Sequence, residues 1–240
     1  MDTSAVKMLE RFNKAKSNRV LFESLFEECY EYALPMRQSF FYESPGQRRD
    51  DKIFDETAVV GTQEFASRLQ SGLVPNFARW ADLLAGSEVP EGERDEVNNN
   101  LDQVTDYVFE IIQNSNFGQE VHESFMDLAV GTGILLVEEG DAVNPIRFNA
   151  IPLPSVYLDT GPDDKIDHVY RQRNLKNEDL RVAYPNANFA EKTGERIKNN
   201  PEEKTQILEI VCRNYEKLNE DRFDFFVINI PEKEIIQREL

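Results

Sequence analysis

Cysteine, histidine and tryptophan are scarce in this sequence: 240 residues hold two Cys, two His and one Trp. Cys29 and Cys212 are too few and too far apart for a disulfide scaffold or a zinc site. They suit a reducing compartment. Basic residues are also short, with 27 Lys and Arg against 45 Asp and Glu and a net charge of −18. A protein that grips nucleic acid normally presents a basic face that displaces counterions from phosphate, so that class is disfavoured. The acidic balance suits a soluble protein, or a surface that nucleic acid passes without sticking. Long apolar runs are missing too; none is longer than Ile134 to Val137. A membrane-spanning helix needs roughly 20 apolar residues. The opening MDTSAVKMLERFNKAK is amphipathic and charged, without a signal peptide's apolar stretch. The expectation is a protein assembled in the cytosol, with no membrane partner. No internal repeat or low-complexity tract is present.

What is present suits a packed core, with 40% hydrophobic residues and 10% aromatic ones. Over residues 4–34, Val6, Leu9, Phe12, Ala15, Leu21, Leu25, Phe26, Tyr30 and Ala33 recur at helical steps, and Pro35 ends the pattern. Residues 36–52, with Pro45-Gly46, read as an exposed loop. A second helix covers 55–73, capped by Asp55, with Ala58, Phe65, Leu69 and Leu73 on one face. Trp80 to Ala85 reads as extended. A third helix covers 96–114, with Val97, Leu101, Val104, Tyr107, Val108, Ile111 and Ile112 inward. A fourth covers 117–130, with Val121, Phe125 and Leu128 inward.

After Gly131-Thr132-Gly133 the period falls to two. Residues 134–138 and 146–151 form a hairpin across Gly140-Asp141, and 156–158 and 166–173 are extended. Residues 176–183 read as a short helix, 186–203 as a polar loop, and 206–215 with 222–230 as a last hairpin. Helices first and antiparallel hairpins second predict an α+β fold. The expected division is a helical part over 1–130 and a β-hairpin-rich part over 131–240.

Residues able to carry chemistry do not form a site by spacing. Gly131-Thr132-Gly133 precedes a strand and no Lys follows, so it reads as a helix-to-strand junction and not a phosphate loop. Asp159, Asp163, Asp164 and Asp167 cluster near Gly161 without the spacing of a calcium loop, and read as a solvated turn. Glu27-Glu28 and Glu138-Glu139 read as solvated pairs. His122 and His168 have no Ser or Cys motif beside them. Trp80, Leu83 and Leu84 read as core or as a subunit contact. Arg48, Arg49 and Lys52 form the one basic spot, offset by Asp50 and Asp51. No catalytic, cofactor-binding or metal-binding residue is assigned, and no cofactor.

Several short elements follow one another in a specific order. Tyr30-Glu31-Tyr32-Ala33-Leu34-Pro35 leads to Ile53-Phe54-Asp55-Glu56-Thr57-Ala58, then to Leu69-Gln70-Ser71-Gly72-Leu73-Val74-Pro75 and Trp80. Asn114-Ser115-Asn116-Phe117 and Asp127-Leu128-Ala129-Val130-Gly131-Thr132-Gly133 come next, then Ile151-Pro152, Tyr157-Leu158 and Asp167-His168-Val169-Tyr170-Arg171. No one element is decisive, but the ordered series over residues 30–173 resembles the head-to-tail connecting (portal) proteins of short-tailed phages. The resemblance implies a structural subunit and not an enzyme, here a wing-like N-terminal portion ending before the clip and stem of longer family members. It implies a homo-oligomeric ring of twelve copies at the portal vertex of the virion, assembled in the host cytoplasm. The implied partners are capsid and scaffolding proteins, the terminase large subunit, tail adaptor proteins, and double-stranded DNA packaged and ejected through the channel. The rival reading is a small cytosolic enzyme or binding protein with no identifiable active site.

Overall fold

A computed structural model of the chain describes residues 4–37, 40, 53–215 and 222–239. Helices come first and antiparallel strands second, the α+β order that the sequence pattern predicts. The chain divides into two units: residues 1–24 with 155–240, and residues 25–154. The change from helix to hairpin falls inside the second of these.

The first unit is a sheet covered on both faces. Its strands are β3 (Val156–Thr160), β4 (Ile166–Lys176), β5 (Lys204–Arg213), β6 (Phe223–Asn229) and β7 (Glu234–Glu239), antiparallel and paired in chain order. In register, Tyr157 faces Tyr170, Tyr170 faces Ile210, and Ile210 faces Phe226. The long helix α1 (Ala5–Ala33) covers this face with Ala5, Met8, Leu9, Phe12 and Ala15, a stripe at three- and four-residue steps. Phe12 meets Tyr157 edge to face at 5.1 Å between ring centroids. Val6, expected inward, is exposed because it lies off that stripe.

The other face of the sheet holds Ile207, Val227 and Ile236 against Leu180 and Tyr184 of the α5 region (α5, Leu180–Ala183) and Ile197 of α6 (Glu191–Asn199). Because both faces are covered, β5 and β6 read as nearly continuous apolar runs and not as alternating ones. Two expectations are corrected here. Residues 186–203 are not all loop: α6 forms with only Thr193 and Ile197 buried, too short a signal for periodicity to expose. The last hairpin is also not terminal, since β7 adds an edge strand whose fully buried side chain is Ile236.

The second unit holds α2 (Thr57–Leu73), α3 (Arg94–Asn114), α4 (Phe117–Val130) and the hairpin of β1 (Leu135–Glu139) and β2 (Ile146–Ala150). Helix α4 packs on α2 and on β2. The hairpin turns at Gly140-Asp141, where the Asp141 carboxylate accepts the Val143 and Asn144 N–H groups; those bonds lower its pKa. Asn116 extends the pairing of β2, accepting the Phe148 N–H and donating to its carbonyl. Glu120 accepts the next inward N–H, of Ala150, at 2.7 Å. These side chains satisfy a strand edge that, among the described residues, has no further strand beside it.

The helix faces of this unit differ from the sequence reading. Helix α2 buries Thr62 and Ala66, while Phe65 and Leu73 are exposed. Small residues let α2 lie close to α4, so packing selects the face with the smallest side chains and not the most apolar one. Helix α3 buries Thr105 and Phe109 and exposes Val104 and Tyr107. On α4, Val121, Ser124 and Asp127 are buried and Leu128 is exposed. Asp55 is not the cap of α2: Glu56 holds the cap position without a side-chain cap bond, and Asp55, one residue further out, accepts the Thr57 N–H at 2.6 Å. The expected loop of 36–52 lies almost wholly outside the described residues.

Candidate functional site

A buried polar cluster of the second unit joins the end of α1 to α4. The sequence places Tyr30 one turn before Pro35, and Pro35 stops the helix. Arg37 then lies just past that end. Tyr30 is fully buried and its hydroxyl donates to Asp127 Oδ1 at 2.7 Å. Arg37 donates to Glu123 Oε2 at 2.8 Å and to the Glu123 carbonyl at 2.6 Å, and its guanidinium lies 3.2 Å from Asp127 Oδ2. Burial raises the Asp127 pKa, partly offset by the Tyr30 hydrogen bond and by Arg37. Burial and the Asp127 carboxylate raise the Tyr30 pKa as well. The cluster ties the end of α1 to α4. Helical periodicity places Tyr30 among the apolar positions of α1, and Asp127 stands in the sequence only within an ordered motif. Asp127 follows Ser124 by three residues, as Ser124 follows Val121, and this short step along the inward side is the signal that could have found it.

The residues weighed from the sequence fall in separate places. Gly131 and Gly133 serve packing: a Cβ on Gly133 would lie 2.6 Å from the Ser124 carbonyl oxygen, and one on Gly131 would lie 3.0 Å from Leu153 Cδ2. Asp163 and Asp164 are exposed in the turn before β4, and Asp164 has a positive φ of 56°. Asp167 departs from the solvated-turn reading. It is buried, its carboxylate accepts from the Tyr215 hydroxyl, and it lies 3.6 Å from Arg213. Gly161 leaves room for that carboxylate, which a Cβ there would overlap.

His122 belongs to the second unit, where its Nδ1 lies 3.1 Å from Gln70 Oε1. His168 belongs to the first, buried, with Nε2 3.4 Å from Arg11. Burial lowers its pKa and the Arg11 charge lowers it further. Glu138 and Glu139 are exposed, and Glu27 accepts the Phe40 N–H at 2.7 Å. Arg48, Arg49 and Lys52 lie outside the described residues. Among the described residues no group of three or more His, Cys, Asp or Glu is placed to hold a metal.

Trp80 stacks on Phe117 at 6.0 Å and meets Phe109 edge to face at 5.2 Å. The segment after it, expected to be extended, forms neither helix nor strand. Leu83 donates to Thr105 Oγ1 and Ala85 to Asn98 Oδ1, so side chains of α3 hold it. Leu83 and Leu84 are exposed.

The two units differ in surface as much as in fold. Among the described residues the first unit buries 19 apolar side chains and exposes eight large ones; the second buries nine and exposes 16. Uncovered apolar groups in this number suit a contact face where they lie side by side. Charge divides in the same way. Residues 25–154 carry 24 acidic and eight basic side chains, net −16; the rest carry 21 and 19, net −2. The candidate site is therefore a surface, that of the second unit, acidic and rich in uncovered apolar groups. A family model described as bacteriophage head to tail connecting protein matches residues 5–236. No curated protein matches the chain.

Proposed function

Because the chain belongs to the bacteriophage head to tail connecting proteins, we propose that it is the subunit of a portal ring whose channel passes double-stranded DNA. Its family role is structural, as a virion component that assembles in copies and meets capsid and tail proteins. In the finer reading, twelve copies close a ring by head-to-tail contacts. The ring occupies one vertex of a short-tailed phage head, docks the terminase during packaging and the tail adaptors afterwards, and releases DNA on ejection. Residues 5–236 supply a wing-like region of that ring.

The observation that carries this reading is the family match over nearly the whole chain. The charge agrees with it. Binding to duplex DNA through cations grows with the number of phosphates neutralised, so a basic wall would hold DNA and slow its passage. A chain of net charge −18 repels the phosphate backbone at short range and leaves DNA free to move. Screening confines that repulsion to a Debye length of about 8 Å at physiological salt, so DNA further from the wall is barely affected.

Negative-stain images of the purified chain test the reading. Closed rings with a central hole support it. A monodisperse monomer at high concentration overturns it, as does ATP turnover that stays with this chain through purification.

A further inference from the structure

Two helix faces of opposite sign point outward after the fold has formed. On α1, Lys7, Lys14 and Leu21 recur every seven residues and are all exposed, on the side away from the buried Met8, Phe12 and Ala15. A seven-residue repeat keeps side chains on nearly one line of a helix. The first 24 residues hold five basic side chains and three acidic ones, in a chain that is otherwise strongly acidic. On α3, Glu96, Gln103 and Glu110 recur at the same spacing, beside Asp106 and Tyr107, and all are exposed. Arg79 engages Asp102 and Asp106, whereas Glu96 and Glu110 form no ion pair among the described residues. Each charged stripe carries a large uncovered apolar group, Leu21 at 81% and Tyr107 at 64% exposure.

We infer that the α3 face of one copy docks in parallel on the first part of α1 of a second copy, with Lys7 against Glu96, Lys14 beside Gln103 and Leu21 near Glu110 and Tyr107. This rests on the ring reading above. Sign selects the occupant. An isologous contact of the second unit with itself would bring together two surfaces that each belong to a body of net charge −16. Like charges placed face to face oppose association, and opposite ones favour it and set its register. A contact between two different faces that is passed on from copy to copy is heterologous, and it closes a ring where its rotation closes, as the ring reading requires. Length agrees as well. Residues 5–24 and the 21 residues of α3 each span about 30 Å at 1.5 Å per residue, so the stripes match end to end.

The test uses two charge-reversed forms of the chain, Lys7→Glu with Lys14→Glu, and Glu96→Lys with Glu110→Lys. All four positions are exposed, and circular dichroism checks that each form is folded. Sedimentation velocity then compares assembly. The expected result is rings from the natural chain, an association weakened about tenfold or more in each variant alone, and rings restored when the two variants are mixed. Restoration follows because each variant then meets its complement on both sides. Rings from the natural chain and from both variants alike overturn this contact and leave the ring reading standing. Rings that persist in Lys7→Glu/Lys14→Glu while its binding to duplex DNA falls assign the stripe to DNA and overturn the contact too. A natural chain that stays monomeric overturns the ring reading and the contact with it.

Discussion

The Tyr30 hydroxyl donates to the Asp127 carboxylate at 2.7 Å, with neither side chain accessible to solvent. The two residues are 97 positions apart, and the bond ties the last turn of α1 to the last turn of α4. Removing the donor leaves a buried carboxylate with one fewer partner. Tyr30→Phe should lower unfolding free energy by about 2 kcal/mol, the range for a hydrogen bond to a charged group. Urea unfolding followed by circular dichroism measures it; an unchanged midpoint would show that the bond contributes nothing net.

Asp127 should also give the chain a pH dependence of definite sign. Its pKa is raised by burial, so the folded state holds the proton longer than the unfolded chain. The stability this gives is full below the ordinary aspartate value of about 4 and is lost as pH rises through the raised value. Relative to Asp127→Asn, which does not titrate, the natural chain should therefore lose stability as pH rises over that window. Paired urea midpoints at each pH report the difference. A gap that widens in favour of the natural chain would refute the assignment.

The two glycines of the helix-to-strand junction should respond unequally to alanine. At Gly133 the added carbon meets the backbone oxygen of Ser124 at 2.6 Å, and backbone cannot swing aside. At Gly131 the nearest atom, at 3.0 Å, is the tip of the Leu153 side chain, which can turn. Gly133→Ala should cost about 2 kcal/mol and Gly131→Ala about 1 kcal/mol or less, within the range for overpacking. Thermal melts of the two variants side by side decide the order.

Glu209 holds three groups on β4 and the α5 region. Its carboxylate lies 2.8 Å from Arg173, 3.3 Å from Arg171, and accepts from the Tyr184 hydroxyl at 2.6 Å. Burial and Glu209 together raise the Tyr184 pKa. Glu209→Ala should destabilise the chain by about 2 kcal/mol, less than for a fully buried pair because Arg173 keeps some solvent. Glu209→Gln, which retains an acceptor for Tyr184, should recover part of the loss. Equal losses in the two variants would show that charge alone matters there.

The two thiols should separate kinetically. Cys212 is buried, and desolvation followed by the Asp224 charge pushes its pKa up to about 11. Cys29 is half-buried. Since the thiolate is the reactive form, a thiol reagent at about pH 8 should modify Cys29 first and Cys212 only as the chain unfolds. Mass spectrometry of the folded chain should find one label at early times, absent in Cys29→Ala.

Much of this was readable in order of residues. Helical periodicity located α1 to α4, with α4 matched at both ends, because long amphipathic repeats survive any uncertainty about partners. Gly140-Asp141 marked its turn through local chemistry that needs no tertiary partner. The ordered motifs pointed to the connecting proteins, and the family match agrees. The inward faces of α2 and α3 were not readable in the same way. Phe65 and Tyr107 are as large as residues that are buried, but Ala66 is the one buried on α2, which lies against α4, and Phe109 is the one that meets Trp80 edge to face.

What the amino-acid order determined by itself is therefore local: where helices start and stop, where turns fall, and a total charge of −18. Tertiary structure decided how those parts combine. It brought Tyr30 to Asp127 across 97 residues and laid the first part of α1 on the sheet of residues 156–239. It also divided the charge, leaving net −16 in one unit and −2 in the other. The reason is that burial and Coulomb energy depend on distance in space, while composition and periodicity report only distance along the chain.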